Sequence, residues 1–173
     1  MQCLDPVIAK RIPQIQLLIL DVDGVLTDGS LYFSDKGDEM KRFHVHDGLG
    51  IKRVQQAGIT VAVISSRQSA AVTHRLTALG VQHILQGATC KLTTYEQLLQ
   101  TVSIAPEQIA YMGDDLPDLP VMQKIGFAVA PPQAVDAVKA VAHWQTTRKG
   151  GKGAVRELCD FLLMYRETGV ACT

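Results

Sequence analysis

The nine residues Asp21-Val22-Asp23-Gly24-Val25-Leu26-Thr27-Asp28-Gly29 come directly after the apolar run 15–20, IQLLIL. A short apolar run that ends abruptly in carboxylates reads as a strand buried on both faces, carrying acidic side chains at its carboxyl end. The pattern recurs downstream. Residues 59–64 (ITVAVI), rich in β-branched side chains, run into Ser65-Ser66-Arg67. Residues 109–112 (IAYM) run into Gly113-Asp114-Asp115-Leu116-Pro117-Asp118, and 127–130 (FAVA) is expected to be a fourth strand. Helical spacing fills the intervals. Val72, Leu76 and Leu79 share a face before Gly80, residues 92–102 are helical, and Val155, Leu158, Cys159, Leu162 and Leu163 outline a closing amphipathic helix. Apolar strands alternating with helices predict an α/β fold with a doubly wound parallel sheet, whose site lies beyond the carboxyl ends of its strands.

One stretch breaks the alternation. Residues 31–33 and 40–45 are strand-like and flank the polar turn formers Ser34-Asp35-Lys36-Gly37-Asp38-Glu39, so a projecting β-hairpin is expected at about residues 30–45. A length of 173 residues fits a single domain over 1–173, ending in a Gly-rich loop and helix at about 148–167. Lys plus Arg and Asp plus Glu both number 17, a balance that offers no electrostatic footprint for nucleic acid or an anionic membrane surface. No run reaches the roughly 18–20 apolar residues that span a bilayer, and the run before Asp21 is too short for a secretory segment. Cys3, Cys90, Cys159 and Cys172 form no C-x-x-C pair and fit neither a zinc site nor a disulfide framework. Cys159 lies on an apolar helical face, as expected of a core thiol, and the whole is read as a reduced, cytoplasmic protein.

The strand ends carry the chemistry. Asp21 and Asp23, two apart at a buried strand's end, concentrate negative charge that calls for a cation, and hard oxygens in little room suit Mg²⁺. Solvated aspartates in a polar loop are the alternative. Hydroxyls and N–H groups at Ser65-Ser66 can hold phosphoryl oxygens or simply cap the next helix. Lys91 stands at a helix start, where the dipole favours an acid, so it either meets an anionic partner or is solvated. Gly113-Asp114-Asp115-Leu116-Pro117-Asp118 has the wrong spacing for an EF-hand. Asp118 at the start of the next helix could act as its cap.

Taken in this order, Asp-x-Asp-Gly-x-x-Thr-Asp, Ser65, Lys91 and Gly-Asp-Asp-x-x-Asp resemble the haloacid dehalogenase superfamily of phosphohydrolases, over roughly residues 14–165. The resemblance implies a Rossmann-like core without a cap domain. It implies Asp21 as nucleophile and Asp23 as general acid/base, with Ser65 and Lys91 on the phosphoryl group. Mg²⁺ would be held by Asp21, Asp114 and the Asp23 backbone carbonyl, with Asp115 and Asp118 behind them or orienting Lys91. Thr27, Asp28, Ser66, Arg67, His46 and Gly48 are the implied substrate-binding positions.

Leu31-Tyr32-Phe33, Phe43-His44-Val45-His46-Asp47-Gly48-Leu49-Gly50 and Gly150-Gly151-Lys152-Gly153-Ala154-Val155-Arg156-Glu157 narrow the resemblance to the 3-deoxy-D-manno-octulosonate 8-phosphate phosphatases of lipopolysaccharide synthesis. That implies a small sugar phosphate as substrate and a homotetramer whose hairpins help close neighbouring sites. The chain departs from many relatives at His46, where they have Arg, and at Ser65-Ser66-Arg67, where they have Thr-Gly-Arg. A phosphatase for nine-carbon ulosonate 9-phosphates is the neighbouring alternative. A phospho-accepting receiver domain is a more distant one, with its acidic pair placed differently. His44 and His46, two apart on an expected strand, would face one side as substrate, interface or plain surface groups. Gly150–Gly153, with Arg148, Lys149 and Lys152, could be a flexible connection or a cationic lid.

Overall fold

The computed structural model describes residues 4–168; Cys3 and Cys172 lie outside the described residues. The chain opens with Pro6–Arg11 (α1), capped by the Asp5 carboxylate, which accepts from Val7 N. Leu17–Leu20 (β1) follows and ends at Asp21. Tyr32–Phe33 (β2) and Glu39–Met40 (β3) pair antiparallel, with Tyr32 opposite Met40 and Phe33 opposite Glu39. The rest alternates: Val45–Gln56 (α2), Thr60–Ile64 (β4), Ala70–Ala78 (α3), His83–Leu85 (β5), Lys91–Thr101 (α4), Ile109–Met112 (β6), Leu119–Met122 (α5), Phe127–Ala130 (β7), Asp136–Val141 (α6), Trp144–Gln145 (β8) and Ala154–Thr168 (α7).

The six strands β5-β4-β1-β6-β7-β8 form one sheet, every neighbouring pair parallel. Counted among themselves they run 3-2-1-4-5-6, so the winding direction reverses between β1 and β6. A crevice opens at such a switch point, beyond the carboxyl ends of the strands. Alternate side chains of each strand enter opposite cores. Leu18, Leu20, Val61, Val63, Ala110 and Met112 pack with α1, α2, α3 and α7. Leu17, Ile19, Ala62, Ile64 and Tyr111 pack with α4, α5 and α6. This is the doubly wound sheet expected from the apolar runs. Among the described residues no helix is long and apolar enough to cross a membrane.

The second arm of the hairpin is shorter than expected. It ends at Met40, and the residues expected as strand to position 45 instead lead into α2, with His44 as its extended N-terminal flank. Helical periodicity overrides local strand composition here: Asp47, Ile51 and Val54 recur at i, i+4 and i+7 and are all buried. His44 and His46 therefore lie on no strand, and their rings meet edge to face at 4.9 Å. Cys159 is buried in the core as expected, whereas Cys90 is exposed.

The Gly-rich loop before α7 is packed rather than projecting. Gly151 N donates to Val25 O at 3.0 Å, and Gln133 ties Gly150 N to Gly24 O. Asp47 accepts from Arg156 N at 2.8 Å and holds the start of α7. The loop thus forms a floor under residues 24–28 of the same chain, with Lys152 exposed. A Cβ at Gly150 would stand 1.8 Å from Gly24 O, so no side chain fits without moving that backbone. Gly150→Ala is expected to cost about 2–3 kcal/mol through overpacking. Chemical denaturation checks this, and a change below about 0.5 kcal/mol, the range of an ordinary surface substitution, would show that the two loops are not in such contact.

Candidate active site

β1 and β6 are neighbours, so their ends bring Asp21 and Asp114 together, while β4 on the other side of β1 delivers Ser65. A cavity of about 280 Å³ opens there, lined by Asp21, Asp23, Ser65, Arg67, Lys91 and Asp114 among others. Larger hollows of about 550 Å³ beside Lys52 and Gln82, and about 700 Å³ along α3, gather no comparable set of charges.

The floor of the cavity is an acidic cluster around one ammonium. Lys91 Nζ lies 2.8 Å from Asp21 Oδ1 and 2.7 Å from Asp118 Oδ1, and all three side chains are buried. Asp118 is saturated with donors: besides Lys91 it accepts from Tyr111 Oη at 2.6 Å, Asp114 N at 3.0 Å and Asp115 N at 3.1 Å. It holds Lys91 and the Asp114 turn in place, and caps that turn rather than the following helix. Carboxylate oxygens of Asp21, Asp114 and Asp118 lie within 4.8 Å of one another. Three carboxylates less one ammonium leave a formal charge of −2. Burial and the Asp118 charge push Asp21 up to about 7 despite Lys91. Burial, then Asp21 and Asp118, push Asp114 up to about 8.

Asp23 belongs to a separate charge system. Its Oδ1 takes the Lys41 ammonium at 2.5 Å and the Thr27 hydroxyl at 3.4 Å. Lys41 also meets Glu39 at 3.3 Å, Glu39 meets Arg67 at 3.0 Å, and Arg67 Nε lies 3.8 Å from Asp23 Oδ2. Two acids and two bases close a ring of zero formal charge. Gly24, at φ 87°, turns the chain between the two systems; a Cβ there would lie 1.9 Å from Asp114 Oδ2.

The other expected site residues divide. Ser65 is buried and its Oγ accepts from Arg67 N at 3.3 Å; Ser66 lines the cavity. Thr27 is buried beneath it, bracing Asp23 and accepting from Gly29 N. Asp28 is taken by Arg42 at 2.7 Å. Asp115 caps its own turn through Leu116 N and does not reach Lys91. His46 and Gly48 do not line this cavity; Gly48 is buried against Arg75 of α3. Lys41, Glu39 and Tyr111 were not legible as site residues. A polar hydroxyl in an otherwise apolar strand is the only signal for Tyr111, and a lysine beside Arg42 within an expected surface hairpin gives none.

The donor set fits a hard divalent cation. Asp114 Oδ1 is buried without a hydrogen-bond partner, and the elevated Asp21 and Asp114 values show how poorly the cluster tolerates its charge alone. Two carboxylates with little room and an oxygen-only donor set match Mg²⁺. Asp118, though within the same cluster, has its oxygens committed to four donors and is not a ligand on this reading.

Comparison with known proteins adds four findings. A family model for haloacid dehalogenase-like hydrolases matches residues 81–158. The chain is 46% identical over 165 residues to the 3-deoxy-D-manno-octulosonate 8-phosphate phosphatase of Escherichia coli K12, covering 94% of this chain and 88% of that one. It is 44% identical over 168 residues to the Yersinia pestis enzyme of the same name, covering 95% and 90%. A crystal structure of the Moraxella catarrhalis enzyme, in complex with a magnesium ion, a phosphate ion and a KDO (3-deoxy-D-manno-octulosonate) molecule, superposes with a TM-score of 0.89 at 39% identity over 94% of this chain and 95% of that one.

The carboxyl groups set a pH dependence. Folded Asp21 and Asp114 hold protons up to about 7 and 8, against an ordinary 3.8. Between these limits the folded metal-free protein binds more protons than the unfolded chain, so its stability falls as pH rises from about 4 to about 8. Mg²⁺ is therefore expected to raise the melting temperature more at pH 8 than at pH 5.5. Asp114→Asn should raise the metal-free melting temperature at pH 8 and shrink the gain from Mg²⁺. An equal gain at both pH values, unchanged in the variant, would contradict the assignment.

Proposed function

The chain belongs to the 3-deoxy-D-manno-octulosonate 8-phosphate phosphatase family of the haloacid dehalogenase-like hydrolases, and on that footing we propose that it removes phosphate from KDO 8-phosphate in lipopolysaccharide synthesis. Mg²⁺ is the cofactor of this reading. The observation that carries it is the Asp21 carboxylate, buried at the switch point, 2.8 Å from Lys91 and beside Asp114.

On this reading an Asp21 oxygen attacks phosphorus, the ester bond to the sugar breaks, and a phosphoaspartate forms. Asp23 protonates the departing alkoxide, then takes a proton from the water that attacks the phosphoaspartate, which regenerates Asp21 and frees inorganic phosphate. Lys91 offsets the repulsion between carboxylate and phosphoryl group. Ser65 and Ser66 offer hydroxyl and backbone donors to the phosphoryl oxygens. Bound to Asp21, Asp114 and the Asp23 carbonyl, Mg²⁺ would supply positive charge against the phosphoryl oxygens.

The reading extends to one domain over residues 1–173 without a cap, working as a cytoplasmic homotetramer. Apolar exposure on the hairpin supports the assembly: Phe33 is 56% and Met40 61% exposed, with Leu31 and Tyr32 beside them. Such a patch usually marks an interface, and closed symmetry is the usual outcome. Phe43, within the residues expected as the second arm of the hairpin, instead packs partly buried against the core.

Phosphate release from KDO 8-phosphate is expected to require Mg²⁺ and to fall below about a tenth in Asp21→Asn, since removing the nucleophile forfeits the covalent route. Asp23→Asn should lose roughly 10²–10⁴-fold. Undiminished turnover by Asp21→Asn would sink the mechanism. Separately, Tyr32→Glu with Phe33→Lys should lower both the mass by light scattering and the activity. A double variant with unchanged mass and full activity would remove the hairpin from assembly.

A further inference from the structure

Lys41 is a lysine whose side chain is only 1% exposed, although it sits at the root of a hairpin whose strands lie at the surface. A buried ammonium is costly unless it is paired. Its carboxylate partners are Asp23 at 2.5 Å and Glu39 at 3.3 Å. Glu39 is fixed in turn by Arg67 at 3.0 Å. The hairpin root thus reaches back onto its own chain's site and closes on the side chain that the mechanism needs to move protons.

We propose that Lys41 is a positioning residue for the phosphatase reaction, holding the Asp23 carboxylate at the leaving-group side of the cavity and out of the acidic cluster formed by Asp21, Asp114 and Asp118. This rests on the reading of Asp23 as general acid/base. The geometry explains why one of four neighbouring aspartates differs in role. Carboxylate oxygens of Asp21, Asp114 and Asp118 lie within 4.8 Å of one another, and Lys91 pairs with Asp21 and Asp118. Asp23, two residues from Asp21, is drawn the other way by the hairpin cation. Without Lys41 its remaining partners are the Thr27 hydroxyl at 3.4 Å and Arg67 at 3.8 Å. Neither distance is that of a strong charge-assisted bond, so the carboxylate would lose its fixed rotamer. Lys41 does not touch the transferred phosphoryl group on this account; Lys91 does.

The test compares leaving groups. Sugar phosphates release an alkoxide that needs Asp23's proton, whereas p-nitrophenolate needs none, and kcat/KM reports the step in which the leaving group departs. In Lys41→Met, kcat/KM for KDO 8-phosphate should fall about 10²-fold, the low end for general acid catalysis, while that for p-nitrophenyl phosphate changes by less than about threefold. The double variant Asp23→Asn/Lys41→Met should be no slower than Asp23→Asn alone, because residues that act through one another are not additive. Lys41→Gln, which retains a donor of shorter reach, is judged by the same ratio and serves if Lys41→Met does not fold. Equal losses on both substrates, a loss confined to KM, or additive losses in the double variant would overturn the proposal. If Asp23→Asn itself fails to separate the two substrates, the general-acid reading falls first, and the proposal with it.

Discussion

Uncompensated negative charge at the switch point of the sheet is the constraint around which this molecule is arranged. The order β5-β4-β1-β6-β7-β8 sets β1 and β6 side by side where the winding reverses, so the groups at their carboxyl ends share one crevice. Those groups are Asp21 and Asp114, and Asp118 stands behind them. A protein could neutralise such a cluster with arginines. This one supplies a tyrosine hydroxyl and two backbone N–H groups to Asp118 and a single buried lysine shared between Asp118 and Asp21. The deficit is left on Asp21 and Asp114, where a divalent cation and a phosphoryl group can meet it. On the proposed reading, one electrostatic requirement sets both the metal and the nucleophile.

The neighbouring ring of Asp23, Lys41, Glu39 and Arg67 makes the contrast plain. It is locally neutral, it draws on the hairpin, and it lies over the same cavity. Ion pairs at a surface contribute little singly, and networks contribute more. On the proposed reading the value of this ring is geometric: it keeps the Asp23 carboxylate apart from those of Asp21, Asp114 and Asp118. The root of the hairpin thus reaches the site of its own chain.

Much of this was legible in the sequence, for physical reasons that also explain the gaps. β6 and β7 match the apolar runs at both ends, and β1 and β4 begin one or two residues inside theirs. Strands buried on both faces must be apolar throughout, and the reading rests on that. β5 falls where the spacing between Ser65 and Lys91 leaves room for one βα unit, but neither it nor β8 is marked by a long apolar run, because edge strands are short and only partly buried. The run 40–45 reads as strand by composition, yet only Met40 pairs in β3, residues 41–44 are irregular, and the helix with its buried series from Asp47 begins at Val45. At the site, groups carried on strand ends declared themselves through Asp-x-Asp and Gly-Asp-Asp. Lys41 and Glu39 did not, because their role depends on how a hairpin folds back, and nothing local encodes that. The Gly-rich loop showed its glycines but not their purpose, which is close backbone contact beneath residues 24–28.

Where the phosphoryl group rests between the two half-reactions decides the mechanism. Rapid quenching during turnover of KDO 8-phosphate with Mg²⁺, followed by borohydride reduction, converts an acyl phosphate of aspartate to homoserine. Peptide mass spectrometry should then find homoserine at position 21 and at no other aspartate. Homoserine at position 23 or 114, or none at any position while phosphate is being released, would contradict it.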